Sequence, residues 1–195
     1  MGGSPRTIAV YGGGFNPPHV GHALVTAWIL KSGKADTVLL VPSASHPFGK
    51  QMAPFEKRVS LSCALAEDVD PEPGENPRVL VSEVEATLPA PNYTLHQLRK
   101  LREMLGPTAN LRCVMGTDNL ALRSKWYGFD DILVEFDPIF VNREGVEGVE
   151  DIQSPMFPNI SSTEVRRRLH AGEVVDHLLT PTVRRLVLGE NILLR

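Results

Sequence analysis

Short runs of aliphatic and β-branched residues alternate along the chain with longer amphipathic stretches, the pattern of a parallel sheet covered by helices. Thr7-Ile-Ala-Val-Tyr11 predicts a first strand, stopped by Gly12-Gly13-Gly14. A helix follows from Pro18 or His19 to about Ser32, with proline suited to its first turn and Gly33 to its end. Thr37-Val-Leu-Leu-Val41 is a continuous apolar run, as expected of a strand buried on both faces. Pro54 opens a second helix that turns Val59, Leu61, Ala64 and Leu65 toward the sheet, and the Pro-, Glu- and Gly-rich stretch 68–77 reads as a surface loop. A third strand is expected over Val79 to Val84, a helix over Thr94 to Leu105, a fourth strand over Leu111 to Met115 and a fifth over Ile139 to Val141. Between the last two strands lies a helix or turn around Leu120 to Trp126, and Glu144 to Pro158 reads as irregular. Ser162 or Thr163 then caps a helix with Glu164 to Leu169 in its first turns, and a last helix follows Pro181. The expected fold class is α/β, a doubly wound parallel sheet in a single domain 1–195, with a small C-terminal helical piece at about 160–195. Ligands of such sheets bind beyond the carboxyl ends of the strands, at the point where the strand order reverses.

Composition narrows the class of partner. A chain of 195 residues with 42% hydrophobic side chains buries enough surface to need neither disulfide nor metal for its core. Twenty basic against twenty-three acidic residues give a net charge of −3, which argues against a protein working on nucleic acid or an anionic membrane. No apolar run approaches the roughly 18 residues of a membrane span, and Met1-Gly-Gly-Ser-Pro-Arg6 has no hydrophobic signal core. A cytoplasmic location is therefore expected. Cys63 and Cys113 sit in apolar contexts and read as reduced core thiols.

The candidate chemistry begins after the first strand, in Gly12-Gly13-Gly14-Phe15-Asn16-Pro17-Pro18-His19-Val20-Gly21-His22. A dinucleotide fingerprint would need a third glycine where Pro17 stands and an acid at the tip of the second strand, which ends in Pro42-Ser43. A G-x-x-x-x-G-K-[ST] phosphate loop is also absent, since Lys50 is followed by Gln51. Glycines still let backbone amides approach phosphate oxygens closely. His19 and His22, three apart at a helix start, project to one face. Three uses suit them: holding phosphate oxygens, ligating a metal that finds no third ligand elsewhere in the sequence, or a purely structural pair. Ile160-Ser161-Ser162-Thr163-Glu164-Val165-Arg166 is a second hydroxyl-rich helix entry, readable as a plain N-cap or as an anion cradle with a guanidinium one turn on.

Gly-Phe-Asn-Pro-Pro-His-Val-Gly-His at 14–22 and Ile-Ser-Ser-Thr-Glu-Val-Arg at 160–166 resemble the two signatures of the HxGH nucleotidyltransferases, and more narrowly the bacterial nicotinate-nucleotide adenylyltransferases. The resemblance runs through Asn92-Tyr93-Thr94-Leu95, Met115 to Leu120, Trp126, Val141-Asn142-Arg143 and Leu178 to Val187. It implies a Rossmann-like nucleotidyltransferase fold and transfer of AMP from ATP to nicotinic acid mononucleotide, giving deamido-NAD and pyrophosphate. It implies that His19, His22 and Arg166 are catalytic. Gly13, Gly14, Phe15, Lys50, Gly116, Asp118, Ser161, Ser162 and Thr163 join them in binding ATP, while Asn16, Tyr93, Thr94 and Trp126 bind the acceptor. Mg²⁺ is expected to arrive with ATP, with no protein metal site. Expected partners are these two substrates, without nucleic acid or membrane, the chain acting alone or as a homo-oligomer.

The sequence departs from the family in three places. Gly14 replaces a usual Ser or Thr, His46-Pro-Phe-Gly-Lys50 replaces Asn-Pro-Pro-His-Lys, and Gln97 replaces the second threonine of Tyr-Thr-x-x-Thr, a change expected to matter little. NMN and phosphopantetheine are alternative acceptors. The latter's adenylyltransferases carry Thr where His19 stands. A nucleotide-binding sensor without turnover is the alternative from another class.

Overall fold

The computed structural model describes residues 6–44, 52–106, 108–145 and 153–189. Its elements are β1 (Thr7–Gly13), α1 (Val20–Lys31), β2 (Thr37–Pro42), α2 (Phe55–Val69), β3 (Val79–Val81), α3 (Thr94–Leu105), β4 (Asn110–Gly116), α4 (Asp118–Ala121), α5 (Phe129–Phe136), β5 (Ile139–Arg143), β6 (Met156–Phe157), α6 (Ser162–His170) and α7 (Pro181–Gly189). Six strands form one sheet in the order β3-β2-β1-β4-β5-β6, each pair parallel. Because the order reverses between β1 and β4, the carboxyl ends of those two strands flank the switch point.

The alternation of side chains along β1 divides the core into two layers. Ala9 and Tyr11 pack with Val25, Ile29, Leu61, Leu65 and the C-terminal Val183 and Val187 on one face. Val10 faces the other way, onto Leu95, Leu98, Leu101, Ile132 and Phe136. All six residues of β2 are buried, as a strand sandwiched between these layers must be. The C-terminal piece is part of the first layer: α7 docks along α2, and Asp68 accepts the Thr182 amide on both carboxylate oxygens, at 3.1 and 2.9 Å, capping α7 from across the interface.

Several expectations need correction. β3 is only three residues long, because Val84–Thr87 winds into a 3₁₀ turn that buries Val84. Helix α5 was not foreseen: its apolar residues Phe129, Ile132 and Phe136 are interspersed with acids, and it opens on Gly128 at φ 64°, a left-handed conformation suited to glycine. The short β6 lies inside the stretch read as irregular. Cys113 is buried and its thiol is pushed up to about 12 by that burial, but Cys63 is exposed, on the outer side of α2. Both cysteines are free.

Candidate active site

The loop from β1 to α1 carries the densest set of buried polar groups. His19 is the N-cap residue of α1 in an extended conformation (φ −143°, ψ 174°), which points its ring back over the first turn. Gly21 makes room for it: a Cβ there would stand 3.0 Å from both Cε1 and Nδ1 of His19. His22 lies below, its ring 3.8 Å from that of His19, and Phe15 forms a floor 5.0 Å from the His22 ring. Phe15 adopts φ 44° and is 1% exposed, so its side chain supports the histidines from within the core.

One hydrogen bond fixes the chemistry of His22. The His19 amide donates to His22 Nδ1 at 3.1 Å, so Nδ1 carries the lone pair and the neutral ring bears its proton on Nε2. Burial, and secondarily the Arg143 guanidinium, hold His19 down at about 3. Burial, then His19, then Arg143 hold His22 well below its ordinary value. Both are neutral near pH 7, each ring with one N–H donor and one lone pair. Nδ1 of His19 is buried without a hydrogen-bond partner among the described residues.

The second signature meets the first. Ser162 Oγ donates to the Pro17 carbonyl at 2.8 Å, and Arg166 Nη1 donates to the Asn16 carbonyl at 2.6 Å. Two motifs some 145 residues apart thus become one surface. The N-cap of α6 is Ser161 rather than Ser162 or Thr163: its side chain accepts from the Glu164 amide at 3.2 Å. Thr163 Oγ1 accepts from Arg166 Nη2 at 3.4 Å. At α1 the anion-binding capacity of the backbone is smaller than helix geometry alone suggests. Val20 donates its amide to Leu178 and His22 and Ala23 donate theirs to His19, which leaves the imidazoles as the main donors there.

Beyond β4, Asp118 curls its carboxylate over Gly116, so that a Cβ on Gly116 would collide with it. Asp118 opens α4, and Thr117 donates its amide to Val141 at 3.0 Å, tying this corner to β5. Tyr93, Thr94 and Trp126 come together as the sequence implied, lining a 430 Å³ cavity with Asn92, Asn119 and Tyr127. Among the described residues lining it, Lys125 is the one charged side chain. Tyr93 stacks on Tyr127 at 4.7 Å. Thr94 and Trp126 also wall a 160 Å³ cavity with Gly12, Gly13, Ser43 and Glu85, so the aromatic cavity and the glycine-rich loop are neighbours. Lys50 lies outside the described residues.

Two cations were missed. Arg58 is 1% exposed and donates to the carbonyls of Gly14 at 3.0 Å and Ala53 at 2.9 Å, fixing the glycine loop from behind. Arg143, at the end of β5, acts electrostatically on His19, His22 and Tyr11. Both sit in elements whose surroundings only the folded sheet supplies. Asn16 is pinned as well, its Oδ1 accepting from the Ala53 amide at 3.2 Å.

The arrangement is a floor of neutral N–H donors and a guanidinium at the end of β1, beside an aromatic cavity carrying one ammonium. Such a surface can grip a polyphosphate and hold an aromatic anion next to it. The chain is similar to known proteins. Residues 10–168 match the family model described as cytidylyltransferase-like. A protein of Anaeromyxobacter dehalogenans named "Probable nicotinate-nucleotide adenylyltransferase" is 37% identical over 189 residues, covering 96% of each chain. One of Myxococcus xanthus with the same name is 31% identical, covering 88% of this chain and 86% of its own. The fold is similar to the solved structure of Plasmodium falciparum nicotinic acid mononucleotide adenylyltransferase complexed with NaAD (TM-score 0.78, 18% identity, 96% of this chain and 97% of that one).

Proposed function

The chain belongs to the cytidylyltransferase-like family and, within it, to the nicotinate-nucleotide adenylyltransferases, and from that membership we propose how its site carries out adenylyl transfer from ATP to nicotinic acid mononucleotide. The product is deamido-NAD, an intermediate of NAD biosynthesis. The observation that carries the reading is the junction of the two signatures, in which Arg166 reaches the Asn16 carbonyl directly beside the buried histidine pair.

A phosphate oxygen of the mononucleotide attacks the α-phosphorus of ATP in line. The new P–O bond forms as the bond from the α-phosphorus to the oxygen bridging to the β-phosphorus breaks, and pyrophosphate leaves with that electron pair. Such a reaction needs alignment and charge stabilisation more than covalent help. His22, with its proton held on Nε2, donates to the phosphate oxygens where charge accumulates, and His19 does so beside it. Arg166, with Ser161, Ser162 and Thr163, stands where the β- and γ-phosphates leave. Gly13 and Gly14 allow close approach of the triphosphate, and Gly116 and Asp118 face the adenosine ribose. The substrate is MgATP, its cation held by phosphate oxygens and water. In the acceptor cavity Trp126 stacks on the pyridine ring, the Tyr93-Thr94 segment meets its carboxylate, and Asn16 borders the mononucleotide. The work is placed in the cytoplasm.

The decisive experiment measures pyrophosphate release from MgATP with nicotinic acid mononucleotide, NMN or phosphopantetheine supplied in parallel. Strong preference for the first is expected. His22→Ala is expected to lower turnover about 100- to 1,000-fold, the loss typical of a donor to a developing oxyanion, with the fold intact. Turnover near wild type in that variant would rule the mechanism out.

A further inference from the structure

At position 97 a buried glutamine stands where the resemblance leads one to expect threonine, and it has a charged partner that the reaction described above does not use. Gln97, on α3, is 2% exposed and donates Nε2 to Glu85 Oε1 at 3.3 Å. Its Oε1 lies against β1, 3.6 Å from where a Cβ on Gly12 would stand. Glu85 sits in the 3₁₀ turn Val84–Thr87. Its Oε2 accepts from the Ala44 amide at 2.8 Å, just beyond β2, and its carbonyl accepts from Asn92 Nδ2 at 3.0 Å, one residue before Tyr93. One carboxylate-bearing residue therefore joins the chain leaving β2, helix α3 and the segment that carries Tyr93-Thr94. Glu85 itself lines the 160 Å³ cavity between the glycine loop and Trp126.

A half-buried carboxylate carries a desolvation cost, and burial pushes Glu85 up against the opposing pull of the Ala44 amide, Asn92 and Arg58. Arg58 plays the matching part on the ATP side, gripping the carbonyls of Gly14 and Ala53. The glycine loop thus hangs on the buried Arg58, while the chain leaving β2 and helix α3 are joined by the half-buried Glu85 carboxylate.

We propose that Glu85, braced by Gln97, is a positioning residue that sets the acceptor half of the site at its working distance from the glycine-rich loop. The inference rests on the adenylyl-transfer reading above. Glu85 touches no reacting atom; its carboxylate acts through Ala44 and Gln97, while its backbone carbonyl holds Asn92 beside them. In-line transfer requires the attacking oxygen roughly 3–3.5 Å from the phosphorus, and a displacement of about 1 Å costs on the order of 100-fold.

The test uses the full chain with Glu85→Ala, Glu85→Gln and Gln97→Thr, each substrate titrated separately and thermal stability followed in parallel. Glu85→Ala is expected to lower kcat/KM for nicotinic acid mononucleotide about 100-fold while the KM for ATP stays near wild type. Glu85→Gln, which keeps one acceptor oxygen, is expected to recover part of the loss. Gln97→Thr removes the brace and leaves the carboxylate, so it reports even if Glu85→Ala does not fold; a smaller loss, again confined to the acceptor, is expected. Variants with a lowered melting temperature but unchanged kinetic constants per folded molecule would overturn the proposal, as would a KM for ATP raised as much as that for the mononucleotide. A wild type that releases no pyrophosphate with the mononucleotide would instead overturn the reaction itself, whereas a working wild type beside unaffected variants would overturn the role of Glu85 alone.

Discussion

The His19–His22 pair binds its consequences for stability to its consequences for catalysis. Each ring is neutral in the folded chain, held down chiefly by burial, whereas in the unfolded chain each titrates near 6.5. As pH falls below about 6.5 the unfolded state takes up protons that the folded state refuses, so stability present above that value is lost on the way down to about 3 for His19. The slope is up to about 1.4 kcal/mol per pH unit for each histidine. Urea denaturation of the wild type and His19→Asn at pH 7, 5.5 and 4.5 checks this; the variant is expected to show a shallower decline, and parallel curves would contradict the assignment. The pairing of the two histidines was legible from their spacing. Their neutrality was not, because it comes chiefly from burial, with Tyr11 and Phe15 packed on His22, and then from the Arg143 charge, all of which only folding supplies.

Among the elements, the first turn of α1 shows geometry set against helix propensity. Alanine at position 21 would favour the helix by about 1 kcal/mol over glycine. Its methyl group would however stand 3.0 Å from the His19 ring, which packs too closely to give way freely. Gly21→Ala is therefore expected to lose that propensity gain to the contact and melt at or below the wild-type temperature, while kcat falls about tenfold or more, as misplaced donors do. Calorimetry beside steady-state kinetics separates the two effects, and an unchanged kcat would mean that the His19 ring position is immaterial. Strand and helix periodicity located most elements, but α5 and β6 escaped it. Helix α5 is short and dotted with acids, and two-residue β6 exists only because β5 offers an edge at Asn142 and Arg143.

Across the whole molecule, the C-terminal piece completes the first core layer and reaches the site. Val183 and Val187 are buried with Leu61 and Leu65, and the Leu178 carbonyl takes the amide of Val20 at the start of α1. Asp68 holds α7 in place through the Thr182 and Val183 amides. Asp68→Ala is expected to cost about 1–2 kcal/mol in chemical denaturation, the worth of a good helix cap, with kinetic constants of the folded enzyme retained. A loss below about 0.5 kcal/mol, as for a replaceable surface group, would show that α7 docks by apolar contact alone.

The sequence by itself determined the class of fold and the two helix starts rich in histidine and hydroxyl groups. Period-two and period-3.6 patterns are local, and the motifs at 14–22 and 160–166 carry their glycines, histidines and hydroxyls within a few residues. Only the tertiary structure decided what those motifs do to each other. It joined Asn16 to Arg166 and Pro17 to Ser162, and it spent the Val20 amide on Leu178. It also buried Arg58 against the Gly14 carbonyl and set Glu85 against Gln97, contacts between residues 44 and 12 positions apart. The physical reason is that hydrogen-bond partners and desolvation are set by what is near in space, and the crossovers of a parallel sheet bring distant segments to one edge.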